Sequence, residues 1–250
     1  MNEIWENLKG QFILNFIDDD RWRYLWQGLG HTLRITVVAL LLGIALGAVI
    51  AIVRATWDMT HEEMRPGFRR NVLRFFNGVC NLYLTVMRGT PVVVQLLIIY
   101  YVIFRSSNNG VAIASLAFGL NSAAYVAEIM RGGIMSIDKG QFEAGRSLGF
   151  NYVETMWHII LPQAVKNVLP SLGNEFITLL KETSVAGYVA VMDLTKAGDV
   201  IRGRTYSPFM PLIAVALIYL VMVIVLERLL NLFERKLRSS DTGRRHRDEK

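Results

Sequence analysis

Several charged side chains lie inside otherwise apolar stretches, where a charge is costly and usually serves a function. Arg88 and Gln95 are seven residues apart, a spacing that predicts one common helix face, and Glu175 and Glu182 have the same spacing. A guanidinium binds a carboxylate through two parallel hydrogen bonds, so Arg88 is a candidate for that contact. Glu175 or Glu182 could bind an ammonium group. Neutral hydrogen bonds could come from three neighbours: Gln95, Thr183 and Ser184.

The alternative role of these side chains is structural, since they could tie helices together or cap spans near the membrane interface. Glu128 and Arg131 are three residues apart and can pair on their own helix. We interpret them mainly as a structural pair near a gate on the cytoplasmic side. A lone Cys80 excludes an intrachain disulfide and offers no metal cluster, and the four histidines are scattered and form no Ser-His-Asp set, so the sequence predicts no metal site and no catalytic group.

The distribution of charge places these residues in a membrane protein. Charged residues make up 19% of the 250 positions, and hydrophobic residues make up 52%. No charge occurs between Arg34 and Arg54, between Arg105 and Glu128, or between Arg204 and Glu227. Each gap is close to the roughly 20 residues that a helix needs to cross the hydrocarbon core. The net charge of +6 comes from loops that flank the apolar spans, so nucleic-acid binding is not predicted.

The apolar runs predict an all-α, polytopic helical membrane bundle with about five transmembrane helices. The predicted spans are residues 33–53, 75–104, 111–134, 168–191 and 211–232. The second is too long for one upright crossing, so we expect either an interfacial first part or a bend at Pro91. The fourth is the least apolar. Gly43 and Gly47 in the first span either admit a close neighbouring helix or reflect how common glycine is in membrane helices.

Five crossings put the two termini on opposite sides of the membrane. Residues 54–74, the 137–166 loop and the C-terminal tail share one side and carry most of the Lys and Arg outside the spans. The positive-inside rule then predicts an extracytoplasmic N-terminus and a cytoplasmic C-terminus. Three regions follow: an extracytoplasmic segment 1–27, a transmembrane domain 28–235 with a cytoplasmic loop at about 137–162, and a charged cytoplasmic tail 236–250.

The cytoplasmic loop contains the stretch EAGRSLGFNYVETMWHIILP, residues 143–162. Small side chains at Ala144 and Gly145 beside Glu143 predict a short helix of low profile. Gly149 can adopt a positive φ and end that helix. Leu148 and Phe150 are then apolar anchors for docking in a groove of a soluble partner. The alternative is an ordinary amphipathic cytoplasmic helix.

This stretch resembles the cytoplasmic signature of binding-protein-dependent ABC importer permeases: Glu-Ala-Ala, three residues, Gly, nine residues, then Ile-x-Leu-Pro. Six positions match at the right spacing: Glu143, Ala144, Gly149, Ile159, Leu161 and Pro162. Gly145 departs, because a second Ala is usual there. We expect the role to be kept because the side chain stays small. In this family the segment is the coupling helix, which seats in the nucleotide-binding subunit.

Further stretches resemble the polar-amino-acid uptake branch of that family. They are RGTPVVVQ (88–95), AAYVAEIMRGGI (123–134), GQFEAGRSLGF (140–150), ILPQA (160–164) and GNEFITLLKETS (173–184). The resemblance covers about residues 28–235 and implies an ABC type I importer permease-like fold in the plasma or inner membrane. It implies a zwitterionic amino acid as the substrate, with Arg88 on the carboxylate and Glu175 or Glu182 on the ammonium.

The resemblance also implies partners. They are two cytoplasmic ABC ATPase subunits, a second or related permease copy, an extracytoplasmic amino-acid-binding protein and the lipid bilayer. The chain has no G-x-x-x-x-G-K-[ST] phosphate loop, so ATP and Mg²⁺ are expected on the ATPase and no cofactor is expected on this chain. Two other functions stay open: a proton-coupled secondary transporter that uses Glu175 or Glu182, and a non-transporting scaffold or receptor subunit.

Overall fold

The computed structural model describes the backbone of residues 2–248 and the side chains of residues 3–236. Every regular element in residues 2–248 is helical, which confirms the all-α prediction. In chain order the α-helices are α1 (Asn2–Phe12), α2 (Trp22–Thr60), α3 (Phe68–Gly89), α4 (Val92–Ile98), α5 (Gly110–Met135), α6 (Lys139–Ser147), α7 (Tyr152–Thr155), α8 (Leu161–Glu182), α9 (Leu194–Thr205) and α10 (Phe209–Asp248). The side chains of the predicted tail beyond residue 236 lie outside the described residues.

Three of the described helices are long and apolar enough to cross a membrane: Trp22–Thr60, Gly110–Met135 and Phe209–Lys236. They contain the first, third and fifth predicted spans. The helices Phe68–Gly89 and Val92–Ile103 make a fourth if the two pieces form one broken span. α8 covers most of the fourth predicted span but does not reach the same hydropathy. The count of five crossings therefore stays a prediction.

The predicted bend at Pro91 is confirmed. Thr90 (φ −120°, ψ 146°) and Pro91 (φ −62°, ψ 134°) are both extended, and the helix axes bend by 108° there. Proline disfavours helical backbone in the residue before it, so α3 ends at Gly89. The break also shows that one expectation was wrong. Arg88 lies on α3 and Gln95 on α4, so the two side chains do not share a helix face.

The bounds of the fourth predicted span, residues 168–191, differ from those of the helix. α8 begins at Leu161 and ends at Glu182, and a 3₁₀ turn follows over Thr183–Val189. A π-helical turn, Met156–Ile160, comes immediately before. The regular i→i−4 bonding is already interrupted in such a turn, so a proline without an N–H is tolerated directly after it.

The chain divides into two compact units. The first comprises Met1–Ala39, Pro91–Gly119 and Ile177–Leu226. Its interior includes polar groups that bind one another: Leu194 donates its backbone N–H to Thr32 Oγ1 over 3.0 Å, and Thr36 Oγ1 lies 3.4 Å from Thr183 Oγ1. Asp193 is fully buried and caps α9 through the N–H groups of Thr195 and Lys196. These bonds offset the cost of burying polar atoms.

The second unit comprises Leu40–Thr90, Leu120–Phe176 and Glu227–Lys250. One of its apolar clusters joins α2, α3 and α5 through Ile50, Leu84, Ala124 and Ala127. The close approach of α2 to α5 explains Gly47, since a Cβ there would lie 2.8 Å from Val126 Cγ1. A second cluster joins α2 and α5 to the π-helical turn after α7 and to α8: Ala55, Ile134, Met156, Ile160 and Ala164.

Candidate coupling and substrate sites

The helix α6 has a defined start and a defined stop. Asp138 caps its first turn by accepting the Gly140 N–H over 2.6 Å. At the other end Gly149 has φ +85°, Gly149 N–H binds Arg146 O, and Phe150 N–H binds Gly145 O, both over 3.0 Å. This pair of bonds is a Schellman motif, in which a left-handed glycine satisfies the last carbonyls of a helix. The predicted role of Gly149 as the helix stop is confirmed.

The helix α7 starts two residues after that turn. Asn151 Oδ1 accepts the Glu154 N–H over 3.0 Å, and Glu154 Oε2 accepts the Asn151 N–H over 2.8 Å. This reciprocal arrangement is a capping box, which satisfies two backbone donors at once. Both ends of the turn are thus fixed by local hydrogen bonds, so α6 and α7 are held in one defined geometry.

The α6–α7 segment is anchored to α2 from one side. The Tyr152 hydroxyl donates to Thr56 Oγ1 over 3.3 Å, and its ring lies 5.7 Å from the ring of Phe142. Burial raises the pKa of Tyr152, and the hydrogen bond to Thr56 opposes that rise. Beyond α7, Met156 and Ile160 enter the apolar cluster with Ala55. The inner face of the segment is therefore fully used by the chain's own packing.

Gly145 lies on that inner face and is buried. A Cβ at this position would be 2.7 Å from Thr155 Cγ2 and 2.8 Å from Thr155 Oγ1. Such distances are too short for a methyl group, so the side chain of Thr155 occupies the space that an alanine would need. The departure from the usual second Ala is therefore more than a conservative change, because this chain has no room for the methyl.

The outer face of the segment is exposed and partly apolar. Leu148 is 73% exposed, Val153 71% and Trp157 68%. Glu143, Ala144 and Phe150 are exposed as well. Val153 and Trp157 were missed by the sequence reasoning, although their i, i+4 spacing could have shown that they share a face. An exposed apolar patch of this kind is typical of a surface that binds a protein partner or a membrane.

A four-charge cluster joins α2 to the end of α5. Arg131 lies 3.0 Å from Glu128 and 3.0 Å from Asp58, and Arg54 lies 3.9 Å from Glu128. All four side chains are 15–27% exposed. The predicted pairing of Glu128 with Arg131 is confirmed, while Arg54 and Asp58 were not identified as partners. The two arginines and the two carboxylates of the cluster balance in charge, so the cluster has no net charge.

Two of the predicted substrate-site residues contact the same stretch of α5. The Arg88 guanidinium lies over the ring of Tyr125 at 5.7 Å, which is within cation–π distance. The Glu175 carboxylate accepts a hydrogen bond from Ser122 Oγ over 2.8 Å. Ser122 and Tyr125 are three residues apart on α5, one turn of helix, so both charged groups belong to one region of the second unit.

The other four predicted residues belong to the first unit. Gln95 is buried on α4, and Thr183 is fully buried, donating to Leu180 O over 2.8 Å. Glu182 and Ser184 are half-buried. Glu175 and Glu182 do lie on one helix, α8, as their spacing predicted. Nothing in this arrangement gives Thr183 an open face, because its hydroxyl already binds within the chain.

The chain was compared with protein families and with known proteins. The family described as "Binding-protein-dependent transport system inner membrane component" matches residues 64–239. The chain is 37% identical to the arginine transport system permease protein ArtQ of Bacillus subtilis, over 87% of this chain and 94% of that protein. It is 35% identical to the putative glutamine transport system permease protein GlnP of Rickettsia prowazekii, over 86% and 93%.

Solved structures agree with these relatives. A crystal structure titled as an amino acid ABC transporter with histidines matches with a TM-score of 0.74 and 39% identity, over 86% of this chain and 94% of that one. An inward-facing structure of the MetNI methionine ABC transporter matches with a TM-score of 0.73 and 18% identity, over 88% and 99%, which shows a common fold. The chain belongs to the family of inner-membrane permease components of binding-protein-dependent ABC importers.

Proposed function

We propose that this chain is the permease subunit of an ATP-driven amino-acid importer and that it couples to a separate ATPase chain through α6 and α7. The arginine, glutamine and L-cystine transport permeases among its relatives support the substrate class. The observation that carries the coupling role is the hydrogen-bonded turn at Gly149, which is flanked by two exposed apolar side chains, Leu148 and Val153. A rigid helix end with apolar side chains suits docking in a groove of a partner.

The full assembly in this proposal has two ATPase subunits, a second permease copy and an extracytoplasmic amino-acid-binding protein. ATP and Mg²⁺ bind the ATPase subunits, so hydrolysis takes place on the partner. The chain is a multi-pass protein of the inner membrane, and we place its N-terminus outside and its C-terminus in the cytoplasm. Segment 1–27 is then extracytoplasmic, and the loop that contains α6 and α7 faces the ATPase.

The coupling role is tested by charge substitutions on the outer face. Glu143→Arg and Leu148→Asp should reduce co-purification of the ATPase with the permease and abolish substrate-stimulated ATP hydrolysis. Tyr206→Asp is the matched control, because Tyr206 is 91% exposed in the first unit and has no predicted docking role. Wild-type ATPase recovery and uptake in both variants would contradict the proposal.

The same preparation separates the two other functions. A secondary transporter would take up substrate in proteoliposomes without the ATPase when a proton gradient is applied. A scaffold or receptor subunit would bind its ligand without any flux. ATP-dependent uptake that needs the partner chain is the result expected here.

For the substrate, we propose that Arg88 binds the α-carboxylate and that Glu175 or Glu182 binds the ammonium or reads the side chain. The contacts of Arg88 with Tyr125 and of Glu175 with Ser122, one helical turn apart, support this assignment. Gln95, Thr183 and Ser184 are proposed only as secondary contacts. The competing role is structural, with Arg88 held by Tyr125 and Glu175 held by Ser122.

Arg88→Ala should raise the half-saturation concentration for every amino acid carried, because all of them share the carboxylate. Loss of a charge-assisted hydrogen bond weakens binding roughly tenfold to a hundredfold. Glu175→Gln should instead change the preference among substrates. Uptake is measured with the binding protein saturated, and Arg88→Lys serves as the charge-retaining control. An unchanged substrate response in Arg88→Ala would assign Arg88 to the structural role.

The Glu128–Arg131 pair is proposed as a lock near the cytoplasmic gate, because it ties α5 to α2 through Asp58. Glu128→Gln should leave assembly intact and change the rate of ATP hydrolysis without substrate. An unchanged basal rate would leave the pair with a packing role alone.

The proposed orientation is tested by cysteine labelling. Asn7→Cys and Ser239→Cys are introduced into a Cys80→Ala background, and a membrane-impermeant thiol reagent is added to intact cells. Asn7→Cys should label from outside, and Ser239→Cys should label only after the membrane is opened. Labelling of both positions from one side would contradict a chain with five crossings.

A further inference from the structure

Four arginines surround the start of α3: Arg65, Arg69, Arg70 and Arg74. Among the side chains that the structure describes, none of these four guanidinium groups has a salt bridge, a hydrogen bond or a cation–π contact. Elsewhere in the same unit, Arg54, Arg131 and Arg146 each contact a carboxylate. The arginines of α3 therefore form a basic surface whose anionic counterpart is not supplied by the described part of the chain.

An open groove of about 550 Å³ begins at this basic surface. It is shallow and follows one face of α3, and the residues that line it are Asn71, Arg74, Phe75, Gly78, Val79 and Leu82. Its polar end holds Arg74, with Arg70 one helical turn earlier on the same side of α3. Beyond Gly78 the groove is apolar, and Phe75 and Leu82 are each 66% exposed. A Cβ added to Gly78 would meet no atom within 4 Å, so the floor of the groove is open.

The groove lies on α3, which packs against the end of α2, a helix long and apolar enough to cross a membrane. Near its beginning, α3 lines a cavity together with the end of α2, through Phe76 and Thr56. Further along, Leu84 of α3 packs with Ile50 of α2. α3 is therefore antiparallel to the end of the spanning helix α2. Eleven residues separate Asn71 from Leu82, a rise of about 16 Å. One leaflet of the hydrocarbon core is about 15 Å thick.

We propose that this groove is a binding site for an anionic phospholipid. The phosphate group contacts Arg74 and Arg70, and one acyl chain lies along Gly78, Val79 and Leu82. The polar-to-apolar order of the groove and its length match one lipid molecule in one leaflet. The unpaired guanidinium groups select an anionic head group over a zwitterionic one, since basic clusters at a membrane surface attract anionic lipids.

The site is tested on the purified permease assembly in detergent by native mass spectrometry. Phosphatidylglycerol is the probe, and phosphatidylcholine with the same acyl chains is the reference lipid. The wild-type protein should bind phosphatidylglycerol more tightly. Arg74→Gln should weaken that binding about fivefold, and Arg70→Gln with Arg74→Gln about 25-fold, following the usual contribution of a basic residue near a membrane.

Two matched controls separate the groove from a general charge effect. Arg69→Gln removes the same charge from a side chain that lines a different cavity, beside Glu63 and Arg146, so it should have the smaller effect. Gly78→Leu should fill the groove and reduce lipid binding with the charge unchanged. Gly132→Leu is its control, because a Cβ at Gly132 also meets no atom within 4 Å.

Several outcomes would overturn the proposal. Equal affinity for the two lipids, or equal losses of lipid affinity in Arg69→Gln and Arg74→Gln, would show that the groove is not a specific site for the anionic lipid. Full lipid binding in Gly78→Leu would remove the acyl-chain contact. A fall in the number of permease copies per assembly in Gly78→Leu would assign the groove to a second copy of this chain instead.

Discussion

Two short helical segments that connect longer helices, α6–α7 and α9, use their apolar residues in opposite ways. Both begin at a polar cap, Asp138 for α6 and Asp193 for α9. The helix α9 then buries Leu194, Ala197 and Ile201 completely, at i, i+3 and i+7. The α6–α7 segment instead leaves Leu148 and Val153 more than 70% exposed.

The difference shows which surface is complete within one chain. The apolar stripe of α9 is already buried within the first unit, so the packing of α9 needs no partner chain. The inner face of α6–α7 is packed within the second unit, but its outer face still exposes apolar area. Under the proposed coupling role, that area is buried when the ATPase binds.

The largest expected effect comes from the same substitution in the two segments. Leu194→Ala should lower the free energy of unfolding by about 2–5 kcal/mol, because it leaves a cavity at a fully buried site. Leu148→Ala should leave that free energy unchanged and weaken only ATPase binding. Denaturant unfolding in detergent, followed by the fluorescence of the five tryptophans, measures both. Equal decreases in the free energy of unfolding in the two variants would contradict the contrast between the buried stripe of α9 and the exposed outer face of α6–α7.

The second effect concerns the inner face of α6. Gly145→Ala should destabilise the chain by roughly 1–2 kcal/mol, since the new methyl collides with Thr155 and the gain in helix propensity offsets only part of the strain. Adding Thr155→Ala should restore stability by removing both colliding atoms. Gly132→Ala, where the space is open, should be neutral or stabilising. Failure of the double variant to recover would show that the collision is not the cause.

A smaller effect is expected at the cap of α9. Asp193→Ala should cost about 1 kcal/mol because the N–H groups of Thr195 and Lys196 each lose an acceptor oxygen, whereas Asp193→Asn keeps one of the two acceptors. Burial raises the pKa of Asp193, and the backbone hydrogen bonds oppose that rise. The native state therefore binds the proton more tightly than the unfolded chain does.

The sign of the pH dependence follows from that difference. The contribution of Asp193 to stability is complete below its ordinary pKa of 3.8 and is lost as the pH rises through the raised value. The free energy of unfolding of Asp193→Asn should not show this decrease with rising pH. A wild-type protein and an Asp193→Asn variant with identical pH profiles would show that burial does not penalise the carboxylate.

The smallest effect is expected for the pair of Arg146 and Glu63, which lie 2.8 Å apart with side chains 62% and 66% exposed. The hydrogen bond that Arg146 donates to Glu63 raises the pKa of Arg146, but exposed ion pairs contribute little to stability. Glu63→Gln should therefore give no measurable change in unfolding. Asp199→Asn on α9 is the comparison, because the ion pairs of Asp199 are also partly exposed. A lower free energy of unfolding in only one of the two variants would show that surface ion pairs stabilise one segment and not the other.

The sequence alone determined the features whose causes are local. Charge-free runs of about 20 residues predict spanning helices because desolvation in lipid acts on each residue in turn. The break at Pro91 and the stop at Gly149 follow from the backbone restrictions of proline and the freedom of glycine. The pairing of Glu128 with Arg131 follows from their spacing on one helix. The family resemblance rests on the same short-range patterns.

The tertiary structure decided every feature that joins distant parts of the chain. Asp58 meets Arg131 across 73 positions, and Ser122 meets Glu175 across 53. Neither partner could be chosen from sequence, because many polar residues occupy equivalent helix positions and only packing brings one pair within hydrogen-bonding distance. The contact of Thr155 with Gly145 could not be predicted from the sequence for the same reason. Hydrophobic burial predicts which residues form helices, whereas the contacts between helices depend on side-chain shape, which has no short-range pattern.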